Sequence, residues 1–128
     1  MTPENEIPLE VLHFIEEKID DIPQLEALLM MSRDEHREWR IADVAARIYV
    51  PEQRAAGMLD ALRHRGLMTS GGPDTFRFNP ATPEARALVS ELARCYTSNL
   101  ARITTFIHSK PSASIQEFAR AFDLKKDR

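Results

Sequence analysis

One cysteine, Cys95, serves the whole chain of 128 residues. A lone thiol excludes an internal disulfide and cannot build a thiolate metal cage within one chain, so Cys95 reads as a small apolar core side chain. Long apolar runs are missing too. No stretch approaches the roughly 18 residues that span a bilayer. The acidic start MTPENEIPLE has neither the basic region nor the apolar segment of a secretory leader. No membrane association and a cytoplasmic location are therefore expected. Glycine is scarce, with four in the chain, and no glycine-rich loop follows a strand to open a helix, which removes the common phosphate cradle. His13, His36, His64 and His108 are scattered, none at metal-ligand spacing from another histidine or a cysteine. The neighbouring acids Glu16-Glu17 and Asp20-Asp21 sit on what reads as solvated helix, with nothing nearby to raise a carboxyl pKa for acid–base work. No catalytic residue, no metal ligand and no cofactor is expected, and the chain is not read as an enzyme.

What is present is the mixture of a folded chain: 43% hydrophobic and 29% charged residues, at a length that suits one domain. The net charge of -3 is unevenly spread. Residues 1–39 hold eleven acids and three bases, residues 40–79 four acids and six bases, residues 80–100 are balanced, and residues 101–128 hold three acids and six bases. A polyanion is repelled by the first third and tolerated by the remainder.

Apolar residues recur at helical spacing over most of the chain. N-terminal helices are expected within 8–35: one opened by Pro8 and carrying Leu9, Leu12, Ile15 and Ile19, the next beginning near Pro23 with Leu25, Leu28 and Leu29. The charged run from Ser32 to Glu38 reads as a solvated loop. A core unit follows over 39–79. Ile41, Val44, Ala45 and Ile48 mark a short helix, Tyr49-Val50-Pro51 a tight turn, and Ala55, Met58, Leu59 and Leu62 a second helix over 51–65 that ends at Gly66. Brief strands around Ser70-Gly71-Gly72-Pro73-Asp74 make a β-hairpin over 67–78. Thr82-Pro83-Glu84 supplies the cap, first-turn proline and first-turn acid of a further helix. Its apolar stripe continues from Ala85 to Ile107, predicting one long helix over 82–110 of about 35 to 40 Å, longer than a small core requires. Residues 83–110 are accordingly expected to pair two subunits as a homodimer. Ser114-Ile115-Gln116-Glu117 matches a capping box, so 114–128 reads as a short helix with a basic tail. The expected class is mainly α with a small β-hairpin.

The stretches Ala42-Asp43-Val44-Ala45-Ala46-Arg47-Ile48 and Leu59-Asp60-Ala61-Leu62-Arg63-His64-Arg65-Gly66-Leu67-Met68 resemble the winged helix-turn-helix domains of bacterial transcriptional regulators. About 40 residues carry the resemblance. It implies a DNA-binding regulator whose helix 51–65 enters the major groove of double-stranded DNA while the wing 67–78 meets the backbone. On that basis the groove-facing positions are Pro51, Glu52, Gln53, Arg54 and Gly57, with Gln53 and Arg54 suited to base edges, Arg40 and Arg47 to phosphates, and Gly71, Gly72, Thr75 and Arg77 in the wing. Glu52, the bare Gly57 and Asp74 at the wing tip depart from that pattern. The alternative is a protein-interaction module, an adaptor that uses the same fold to hold a protein partner without binding DNA.

Overall fold

The computed structural model describes residues 7–109. The expected helix and tail at 114–128 lie outside the described residues. The chain is mainly helical, with a small three-stranded antiparallel sheet. Helices α1 (Leu9–Lys18) and α2 (Ile22–Ser32) come first, then strand β1 (Trp39–Arg40), helices α3 (Ile41–Ile48) and α4 (Glu52–His64), strands β2 (Met68–Gly72) and β3 (Thr75–Phe78), and helix α5 (Pro83–Tyr96). A 3-10 turn (Thr97–Asn99) leads into α6 (Leu100–His108).

The first two helices meet at an acidic elbow. Asp21 caps α2, its Oδ1 accepting from Gln24 N–H at 3.0 Å, while Gln24 Oε1 accepts from Asp20 N–H at 2.7 Å. The first bond satisfies a backbone donor that the start of α2 would otherwise leave orphaned, and the second ties the residue before the cap to the helix. Val11, Phe14 and Ile15 turn inward from α1, but Leu9 stays 66% exposed because it lies in the first turn, off that face.

Helix α3 buries Val44, Ala45 and Ile48. It stops at Tyr49, which adopts the left-handed conformation (φ 60, ψ 48) as Val50 N–H returns to Ala45 O at 3.1 Å. Pro51 then starts α4 with extended backbone, as its fixed φ allows. Ala45 and Ala55, both buried, keep side-chain bulk out of the contact between α3 and α4. Helix α4 ends at Gly66 with φ +83, a conformation that glycine adopts without a Cβ clash.

Two features differ from expectation. The hairpin is part of a larger sheet in the order β1-β3-β2, with Trp39 opposite Phe76 and Arg40 opposite Thr75. Two residues make too short a pattern to read alone, and β1 exists through its pairing with β3. The single helix expected over 82–110 is two. Thr97, Ser98 and Asn99 are polar residues whose side chains compete for backbone groups. Asn99, 2% exposed, takes φ -129 and ψ 27, and its Nδ2 donates to Cys95 O at 3.0 Å. Of the apolar stripe on these two helices, Leu92, Cys95, Ile103 and Ile107 join the core, as does Val89 beside it, and Leu100 remains 51% exposed. The cap at the start of α5 forms as read, Thr82 Oγ1 accepting from Ala85 N–H at 3.0 Å.

A single buried cluster links these elements, with Ile15, Leu28, Trp39, Leu59, Leu62 and Leu92 among its fully buried members. Each such side chain contributes about 1.5 to 3 kcal/mol relative to exposure. Among the described residues no helix is long and apolar enough to cross a membrane.

Candidate nucleic-acid interface

The periodicity of α4 separates two faces. Ala55, Met58, Leu59 and Leu62 recur at three- and four-residue spacing and are buried, so Glu52, Gln53, Arg54 and Gly57 project to solvent, preceded by exposed Pro51. The N-terminus of α4 has no side-chain cap, and neither does that of α3. A cleft of about 300 Å³ lies between these two helix starts and the β2–β3 turn, lined by Arg40, Ile41, Ala42, Glu52, Gln53, Ala56 and Asp74. The turn is tied down by Ile41 N–H, which donates to Asp74 O at 2.9 Å.

The sheet presents a second part of this surface. Phe76 and Phe78 point into the core, so by strand alternation Thr75 and Arg77 face outward, and the pairing of Arg40 with Thr75 puts Arg40 on the same side. A register irregularity between Ser70 and Gly72 bends β2, with Ser70 Oγ donating to Gly72 O at 2.5 Å. Gly71 has the Glu38 carboxylate against it, about 3.0 Å from where a Cβ would stand.

Of the sequence-derived candidates, Arg40 and Gln53 both line the cleft, Pro51 opens its helix, Gly57 lies one and a half turns further along α4, and Thr75 and Arg77 share the outer sheet face with Arg40. Arg47 and Arg54 have partners of their own. Arg47 stands 5.3 Å from the centroid of the Trp39 ring, which Arg37 covers from 3.6 Å. Arg54 pairs with Asp21 at 2.9 Å, an acid not read as part of the site. Asp21-Ile22-Pro23-Gln24 is a capping-box pattern that marks the start of α2, but nothing local brings Asp21 to α4.

Charge on this surface is balanced. Arg63 is held by Asp60 at 2.8 Å, and its guanidinium keeps the Asp60 carboxyl below the usual range. Arg65 is bound to Asp20 at 3.1 Å and donates to Lys18 O at 2.7 Å. With Arg54 also paired, Arg40, Arg47 and Arg77 are the arginines of residues 40–79 without an ion pair among the described residues. Glu38, Asp43, Glu52 and Asp74 are exposed beside them.

Groups for covalent chemistry are not gathered here. Among the described residues no three histidine, cysteine, aspartate or glutamate side chains converge to hold a metal. The Cys95 thiol is 5% exposed, and burial followed by the nearby Glu91 charge pushes its pKa up, away from the reactive thiolate. No protein-family model, curated protein or solved structure matches the chain.

Proposed function

We propose that residues 39–79 form a winged helix-turn-helix unit that recognises double-stranded DNA, with α4 in the major groove and the β2–β3 wing on the backbone. The observation that carries this reading is the N-terminal half of α4: Glu52, Gln53, Arg54 and Gly57 are exposed on a helix whose other face is sealed into the core. The order helix, strand, two helices and hairpin, with β1 joining the sheet beside β3, supports it. Neither α3 nor α4 has a side-chain cap at its start, and helix N-termini of this kind are suited to phosphate oxygens. Three arginines without an ion pair give a modest electrostatic term, so a protomer binds weakly and a homodimer, using exposed positions of α5 and α6 such as Leu100, doubles it. Two α4 helices then sit about 34 Å apart on a pseudo-palindromic site. The role is that of a non-catalytic regulator.

Fluorescence anisotropy against genomic fragments at several salt concentrations tests this. The expected result is salt-sensitive binding at micromolar protein, with log K falling against log salt with a slope of about -3 per protomer. A flat titration contradicts it.

The balanced charge favours a second reading, in which the same surface docks a protein and the acidic first third repels nucleic acid. Affinity capture from nuclease-treated extract then retains a partner, whereas capture that depends on DNA speaks against an adaptor.

A further inference from the structure

Tyr49 is the one non-glycine residue with positive φ among the described residues. The turn itself requires the conformation, because α3 must stop at Ile48 and its last carbonyls must find donors before Pro51 opens α4. Glycine adopts it freely and asparagine with little strain, whereas a tyrosine Cβ crowds the backbone. Burial offers no compensation. Tyr49 is 92% exposed, the most exposed large hydrophobic side chain described, and its hydroxyl has no hydrogen bond among the described residues. Neither local backbone preference nor packing accounts for a tyrosine here, and strain kept at an exposed position points to a contact made with something else.

The surroundings select the chemistry of that contact. A protein-binding aromatic anchor sits within an apolar patch that excludes water around it. Tyr49 is instead neighboured along the chain by exposed Arg47, Pro51 and Glu52. An isolated exposed phenol at the entrance to an outward-facing helix, two residues after exposed Arg47, suits a phosphodiester oxygen, which accepts from hydroxyl and guanidinium donors alike. We propose that Tyr49 is a DNA-backbone contact, its hydroxyl donating to a phosphate at the edge of the groove that receives α4, with Arg47 alongside. This rests on the DNA reading above and adds a neutral donor to a face with few unpaired cations.

The test compares wild type, Tyr49→Gly, Tyr49→Phe and Arg77→Ala by anisotropy on a fluorescein-labelled mixed-sequence duplex at low salt, with thermal melts of each protein. Tyr49→Gly is expected to melt higher than wild type, because strain is relieved, and yet to bind about tenfold more weakly, the scale of one hydrogen bond to a charged group. Tyr49→Phe keeps the ring and loses the donor, and is expected to weaken binding to a similar degree. A merely structural tyrosine cannot yield a protein that is more stable and binds worse. If both Tyr49 variants bind like wild type while Arg77→Ala weakens binding, the inference is overturned and the DNA reading stands. If wild type itself shows no salt-sensitive binding, both fall together.

Discussion

The two halves of α4 obey opposite demands. From Met58 onward the helix belongs to the core: Met58, Leu59 and Leu62 are buried, Gln24 Nε2 donates to Met58 O at 3.2 Å, and Arg65 grips the α1–α2 elbow through Lys18 O and Asp20. From Glu52 to Gly57 one buried side chain, Ala55, holds the helix down, and the long-range side-chain tie is the exposed Arg54–Asp21 pair. One half thus fixes the direction of the helix, and the other is left free to vary in side chain. Such a division is what a rigid recognition element needs, because its contacts must be pre-oriented without being used up by the fold.

The comparison breaks most visibly in the core. Leu62→Ala removes a side chain with no exposed surface, and the expected loss is about 3 kcal/mol by urea denaturation. Gln53→Ala, about two and a half turns earlier, should stay within about 0.5 kcal/mol. A comparable loss at both would deny the division. The clasp is the next largest effect: Arg65→Ala is expected to lose about 1 to 2 kcal/mol, because it frees Lys18 O from its charged donor and unfastens the elbow.

A change of opposite sign sharpens the contrast. Nothing lies within 4 Å of a Cβ added to Gly57, so Gly57→Ala should stabilise the protein by up to about 1 kcal/mol through helix propensity. If it destabilises instead, the outer face of α4 is not open. The smallest expected effect concerns the Arg54–Asp21 pair, a surface ion pair of little stabilising worth. Asp21→Asn keeps a competent cap on α2 while removing the charge that draws Arg54 aside. Stability should hardly move, while DNA affinity should rise about threefold with a salt slope steeper by about one. Unchanged affinity would remove Arg54 from the contact set.

Much of this arrangement was legible in the sequence. The spacing of Val44, Ala45 and Ile48 and of Ala55, Met58, Leu59 and Leu62 located α3 and α4, Pro51 and Gly66 marked their limits, and the exposed positions of α4 followed from the same periodicity. Those signals are local, carried by residues within one or two turns of each other. What escaped is relational. Trp39-Arg40 becomes a strand through a partner more than thirty residues away, and the Arg54–Asp21 and Arg65–Asp20 pairs join positions 33 and 45 residues apart. The break at Thr97–Asn99 was written in three successive polar residues, but the apolar stripe continues in phase across it and concealed the stop. Tyr49 carried no local sign, since tyrosine is an uncommon choice for a left-handed cap.

The most direct test of the central claim, that the free half of α4 and the wing form the binding surface, is amide NMR of the full chain titrated with a short DNA duplex. The account predicts chemical-shift changes concentrated over 40–57 and 70–77, with α1 and α5 unmoved. Changes centred on α1 and α5, or none at all at saturating duplex, would contradict it.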